Sequence, residues 1–321
     1  MYTDSINQRG ESMHIHQQIN EQFPMRNTEE QKEAFRNWTM EKIQEYGYTA
    51  QVEATDKKQK TKNILVGNPD DAEVIFTAHY DTARRSVVPN MMMPRCVIGS
   101  YLYATLMVVP LLVVSIVLGE LVAKWTGIEA LDRIVYLIVY FGLFYYMMFG
   151  GPVNKNNAND NTSGCAALLA IMENMRPEDR NKAAFVFFDN EEIGLVGSRG
   201  FAKLHPEIKK NKPIVNLDCV ANGDQVLLIS KKKAEMGAVY AALKDTMSSN
   251  EEYQVHFFGK RGSMMNSDHS QFDLGMGVCA CKKAPVVKFA CGRIHTPKDT
   301  VANTANIDFL AQWMVRMLEK I

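Results

Sequence analysis

Read along the chain, apolar and polar positions fall into three regimes. The first, up to about residue 95, mixes a helical pattern with short dense apolar runs. Thr28-x-x-Gln31 forms a capping-box pattern ahead of NWTMEKIQEY, and Gly47 supplies the stop, so a helix is predicted there. NILVG and AEVIFTAH follow, rich in β-branched and aromatic residues, and predict two adjacent strands. Asp56 to Lys62 reads as a solvated charged loop, the first dozen residues as frayed, and His14-x-His16, in a polar context, as surface. The third regime, from about residue 154, alternates. TSGCAALLAIMENM predicts a helix capped by Thr162 or Ser163, AAFVFFD a strand apolar on both faces, GSRGFAKL a helix, and PIVNLD and QVLLIS strands. AEMGAVYAALKDTM predicts an amphipathic helix, SDHSQFD a short helix, APVVKFA a strand, and Ala305 to Ile321 the closing helix. Strand–helix alternation of this kind predicts an α/β fold: a mostly parallel, doubly wound sheet flanked by helices, with ligands gathered at the carboxyl edge.

The middle regime breaks that rhythm. Cys96 to Gly119 contains no charged residue, nor does Ile134 to Val153, and each run matches the roughly 20 helical residues that cross a bilayer core. Tyr101, Tyr103, Trp125, Tyr136, Tyr145 and Tyr146 sit near the ends of these runs, where amphipathic rings favour the interface. Pro110 predicts a kink and not a break. The chain therefore reads as the first part of a catalytic domain (1–95), a transmembrane helical hairpin (96–153), and the remainder of the same domain (154–321).

Composition narrows the chemistry. Lys plus Arg and Asp plus Glu balance at 36 each, which gives no electrostatic case for nucleic acid. The six cysteines lack C-x-x-C spacing, and Cys279, Cys281 and Cys291 have no fourth ligand nearby, so buried free thiols are expected. MYTDSINQRGES has no apolar core of a signal peptide. Arg84, Arg85, Arg95 and Lys155 flank the hairpin on the domain side, against Lys124 and Arg133 in its connection, so the positive-inside rule predicts an integral membrane protein with a cytoplasmic catalytic domain.

Seven residues carry the candidate chemistry, each where an apolar run ends: His79 and Asp81, Asp160, Glu191 and Glu192, Asp218, and His295. Imidazole and carboxylate ligands without thiolate suit Zn²⁺ or a similar first-row divalent ion. Two such ions about 3.5–4 Å apart need a bridging carboxylate and can activate a shared water toward a carbonyl. Asp160, a short side chain in a tight Asn-Asp-Asn turn, is the natural bridge. Glu191 and Glu192 project to different sides of the backbone, so one can bind metal while the other acts as base. Asp81 can accept the free ring N–H of His79 and fix its tautomer.

The motifs H-x-D, D-N-x-S-G, F-x-F-x-x-x-E-E-x-G-L-x-G-S, N-L-D, S-D-H-x-x-F and I-H-T-x-x-D-T together resemble the M28 family of zinc aminopeptidases, everywhere outside the hydrophobic insert. The resemblance implies a zinc-exopeptidase-like fold and two Zn²⁺, with His79 and Asp218 on one ion and Glu192 and His295 on the other. It further implies Asp160 between them, Glu191 as general base, and an often cis peptide at Asp160–Asn161. It departs at RGSMMN, where many members carry a tyrosine that polarises the tetrahedral intermediate; Arg261, Ser263 and Asn266 are the polar groups left there. The implied function is a membrane-anchored aminopeptidase acting on peptides at the lipid bilayer. Two other classes share the fold, glutaminyl-cyclase-like acyltransferases with a smaller ligand set and non-catalytic membrane scaffolds that lack ligands, and exo- against endo-cleavage stays open.

Overall fold

In the computed structural model the described residues are 13–56, 60–86 and 91–321. The expected frayed N-terminus and residues 57–59 of the charged loop lie outside them. Two helices open the chain, α1 (Ile15–Gln22) and α2 (Glu29–Glu45). The Thr28 hydroxyl accepts from the Gln31 amide at 3.3 Å and the Gln31 side chain accepts from the Thr28 amide at 3.2 Å, which completes the predicted capping box. Glu29 and Glu30 place negative charge on the first turn, where the helix dipole favours it. Gly47 follows at φ +82, a backbone angle that suits glycine.

The strands are β1 (Ala50–Ala54), β2 (Lys62–Val66), β3 (Val74–His79), β4 (Met91–Met92), β5 (Ala183–Phe188), β6 (Ile214–Leu217), β7 (Gln225–Ser230), β8 (Gln254–Gly259), β9 (Gly275–Ala284) and β10 (Lys288–Gly292). They form one mixed sheet along β1-β2-β5-β3-β6-β9-β10-β4, with β7 pairing β9 and β8 pairing β7. The central strands β5, β3, β6 and β9 run parallel, and antiparallel pairs flank them, with parallel β7–β8 at one margin. Strands from before and after the hydrophobic insert interleave, so the two flanks build one sheet. Contrary to the sequence expectation, β2 and β3 are not neighbours, because β5 lies between them. β9 was not expected from the sequence at all, although it links β6 to β7.

Helices cover both faces, as period-two burial requires. Val74, Phe76, Ala78, Phe185 and Phe187 pack into one core with α5 (Thr162–Asn174) and α9 (Thr304–Lys320). Ile75, Ala184, Val186 and Phe188 face the other core, with Phe201 of α6 (Val196–Leu204) and Ile208 of α7 (Pro206–Asn211). Between α7 and α9 lies α8 (Ala238–Thr246), packed on α9. Burying one such phenylalanine contributes about 1.5–3 kcal/mol. The cap of α5 is Asn161, whose side chain accepts from the Gly164 amide at 2.9 Å, and not Thr162 or Ser163. His16 is buried and bonds the Ala158 carbonyl at 2.7 Å, so the expectation of a surface histidine fails there. The six cysteines are free, and five are buried.

The insert is a helical hairpin, α3 (Val97–Thr126) and α4 (Leu131–Phe149), whose two arms pack on each other. α3 passes through Pro110 unbroken and ends at Gly127, φ +71. At Gly119 a β-carbon would lie 2.5 Å from the Asp132 carbonyl oxygen, so this glycine permits the close crossing. Ile98, Leu102, Leu106, Val113, Ile138 and Phe141 are exposed, the reverse of a soluble helix pair. Among the described residues one helix, Val97–Thr126, is long and apolar enough to cross a membrane. Its base is tied down: Arg84 bridges Val153, and the Arg85 amide donates to the Pro152 carbonyl at 2.9 Å.

Candidate metal centre

β3 lies between β5 and β6 and all three run the same way, so the segments leaving their carboxyl ends meet at one edge. β3 delivers His79 as its last residue, β5 leads into Glu191 and Glu192, and β6 leads into Asp218. Asp160 arrives from the opposite direction, two residues before α5, across a cis bond to Asn161. His295 comes from the loop after β10. Asn190, Cys219 and His295 all take positive φ although none is glycine, and each is in or beside the cluster, where local strain is tolerated for placement.

Asp160 sits at the middle. One carboxylate oxygen is 3.4 Å from His79 Nε2, and the other is 2.9 Å from His295 Nε2. Asp218 lies 3.8 Å from His79 Nε2, and Glu192 3.1 Å from His295 Nε2. Two ligand triads result, His79–Asp160–Asp218 and Asp160–Glu192–His295, each with its ligand atoms within 4.8 Å of one another. Asp160 belongs to both. Glu191 belongs to neither, but joins His79 and Glu192 in a third grouping.

The donors fit divalent cations. Glu192 Oε1 and Asp218 Oδ1 are buried with no hydrogen-bond partner, a costly arrangement unless a cation takes those lone pairs. His79 Nδ1 faces the Asp81 carbonyl oxygen at 3.2 Å, an acceptor only, so Nδ1 carries a hydrogen and Nε2 is the nitrogen left to face the cluster. The charges agree. Burial pulls the His79 imidazole down, but Glu191 and the Asp160, Asp218 and Asp81 carboxylates hold it well above its ordinary value. Burial likewise works against a charged His295, which Glu192 and Asp160 outweigh. Burial, and then Glu192, Asp268 and Asp218, push the Glu191 carboxyl well up. Such crowding of like charge calls for cations.

Asp81 does more than expected. Its carboxylate lies 3.4 Å from His79 Nδ1 and also accepts the Glu191 and Glu192 amides at 3.0 and 3.1 Å. One side chain thus sets both the histidine and the glutamate pair. Sequence reading missed three other supports. Asp299, the aspartate of I-H-T-x-x-D-T, accepts the Asn159 and Asp160 amides at 3.0 and 3.1 Å, and burial pushes its carboxyl up to about 7. Arg26, fully buried, donates to the Tyr80 and Phe23 carbonyls and the Thr162 hydroxyl. Lys32 pairs with Asp189 at 2.8 Å, which ties α2 to the loop carrying Glu191. Only Asp299 carried a signal in the sequence, its place in a motif. Ser263, in the stretch that lacks the tyrosine, accepts from Arg95 and donates to the Gly259 carbonyl, both at 2.7 Å, so it serves the base of the hairpin.

A cavity of about 620 Å³ opens beside the cluster, and Asp81, Arg84, Tyr145, Glu192, Ile193 and His295 are among its lining.

Comparison with known proteins shows the family and the fold. The model of the family described as Peptidase family M28 matches residues 144–319. A vacuolar membrane protease of Candida glabrata is 27% identical over 111 residues, which is 34% of this chain and 12% of that protein, so the chain spans only a small part of its curated relative. A solved Zn-dependent exopeptidase from Parabacteroides distasonis superposes with TM-score 0.56 at 14% identity, over 95% of both chains. The glutaminyl cyclase of Porphyromonas gingivalis gives TM-score 0.55 at 14% identity over 95% of both. The LapA aminopeptidase of Legionella pneumophila gives 0.53 at 14% identity, over 95% of this chain and 69% of that one. At such identities the structural likeness establishes the fold.

Proposed function

This chain belongs to peptidase family M28, and from that premise we propose that it is a membrane-anchored dizinc aminopeptidase whose catalytic domain faces the cytoplasm. The observation that carries the reading is the position of Asp160, with one oxygen toward His79 and the other toward His295. His79 and Asp218 would hold one zinc, Glu192 and His295 the other, and Asp160 both. When bound, the ions supply Lewis-acid polarisation of the scissile carbonyl and lower the pKa of water. The residues do the rest. Glu191, outside both triads that share Asp160, takes a proton from the attacking water and returns it to the leaving amine; its carboxyl, pushed up by burial, suits a group that accepts and releases a proton. Asp81 orients His79 and pins the amides of Glu191 and Glu192, which keeps base and ligand on their own sides. The two complete triads favour this reading over an acyltransferase with fewer ligands.

Membrane anchoring rests on the exposed apolar hairpin and the orientation on the four basic residues at its base against two at its tip. Glu191→Gln keeps the shape and removes the basicity. Peptide hydrolysis should fall by about 10²–10⁴-fold with metal content unchanged. Loss of metal with residual activity on adding zinc would exchange the roles of the two glutamates.

A further inference from the structure

The hairpin does not merely tether the domain. We propose that its second helix is a wall of the substrate cleft, and that Tyr145 contacts the apolar side chain of the residue next to the scissile bond. The inference rests on the peptidase reading above. Its basis is the single cavity of about 620 Å³ that contains both Tyr145 and the ligands Glu192 and His295. Tyr145 lies in the last turns of α4, five residues before Gly150.

That end of the helix is held relative to the site. The Arg85 amide donates to Pro152 at 2.9 Å, Arg84 donates to the Gly151 carbonyl at 3.3 Å, and the Ser86 amide donates to the His295 carbonyl at 2.8 Å. Gly151 is packed so closely that a β-carbon there would lie 1.8 Å from the Arg85 carbonyl oxygen. The strand 84–86 is therefore a strap, bonded on one side to the foot of α4 and on the other to the His295 loop. These bonds hold the foot of α4 beside the His295 loop, and Tyr145, a little over one turn above that foot, lines the same cavity.

The chemistry of the lining identifies what the wall meets. Ile193 directly follows the ligand Glu192 and is 58% exposed, and Tyr145 is 65% exposed. With the buried Ala83 they put apolar surface in a cavity whose other lining groups are polar or ionic. Apolar surface held in water beside a reactive centre is repaid when a substrate side chain covers it. A phenol ring on a membrane helix also sits at interface depth, where ring and hydroxyl are both solvated favourably. The cleft mouth then lies at the bilayer surface, and the substrates are peptides whose first residue is leucine- or phenylalanine-like.

The test uses full-length zinc-loaded protein in detergent, with Tyr145→Ala, Tyr145→Phe and, at the hairpin tip, Trp125→Ala. Each is assayed on peptides that differ only in their first residue, Leu, Phe or Ala. Tyr145→Ala should raise KM for the leucyl and phenylalanyl peptides about tenfold, the scale of one lost apolar contact, and leave kcat and the alanyl peptide within about twofold. Tyr145→Phe, which keeps the ring, should stay near wild type, as should Trp125→Ala. A second readout needs no turnover: a benzophenone amino acid placed at position 145 in the Glu191→Gln background should crosslink to a leucyl peptide, with unlabelled peptide competing. Unchanged discrimination in Tyr145→Ala without crosslinking overturns the proposal. Crosslinking in that background, together with no peptide hydrolysis by the wild-type protein, would sink the peptidase reading and leave the wall in place. Neither hydrolysis nor crosslinking overturns both.

Discussion

Asp299 gives the sharpest structural prediction, because it supports the metal centre without belonging to it. Its carboxylate accepts two buried amides, from Asn159 at 3.0 Å and from Asp160 at 3.1 Å. In Asp299→Ala both lose their acceptor, and leaving a buried donor unsatisfied costs about 1–3 kcal/mol, hence about 2–6 kcal/mol for the pair. At about 2 °C per kcal/mol for a chain of this size, Tm should fall by about 4–12 °C. Asp299→Asn keeps one acceptor oxygen and turns an N–H toward the other amide, so about half that loss is expected. The same two bonds aim the Asp160 backbone, so zinc affinity should drop about 10–100-fold in Asp299→Ala, the usual scale for losing a partner that orients a ligand. Thermal unfolding with and without zinc, combined with zinc titration against a competing chelator, separates the two effects. An Asp299→Ala protein with wild-type Tm and zinc affinity within twofold of wild type would refute the reasoning.

Chelation should destabilise the wild type, since Asp160, Glu191, Glu192 and Asp218 would face one another without cations; at a zinc concentration of about 100 Kd each ion contributes about 2.7 kcal/mol, and a Tm indifferent to chelator would argue against a metal centre. Peptides with an acetylated first residue should be cleaved far more slowly than their free counterparts, and equal rates would indicate an endopeptidase. For topology, a cysteine introduced at Gly127 should react with an impermeant thiol reagent in intact cells and one at Lys209 should not. The reverse pattern would invert the orientation.

The site was more legible in the sequence than the sheet that carries it. All seven candidate residues come together: His79, Asp81, Glu191, Glu192 and Asp218 where parallel strands stop, while Asp160 is brought in by the turn before α5 and His295 by the loop after β10. β9 escaped because GMGVCAC is small and sulfur-containing and buried on both faces, which leaves no alternation to read. The neighbours of β2 escaped because β5 enters between β2 and β3 from more than a hundred residues downstream. His16 looked like surface because its partner, the Ala158 carbonyl, is 142 residues away. Arg26 was silent for the same reason, as its partners lie on Tyr80 and Thr162. The hairpin was legible as two charge-free runs, but only the folded chain shows that Tyr145 lines the cavity beside Glu192 and His295.

Whether Asp160 joins two zinc ions can be read from zinc-edge X-ray absorption on purified, metal-quantified protein. The account predicts two zinc equivalents per chain, nitrogen and oxygen ligands without sulfur, and a metal–metal scattering feature at about 3.5–4 Å. One equivalent of zinc, or two with no metal–metal feature in that range, would contradict it.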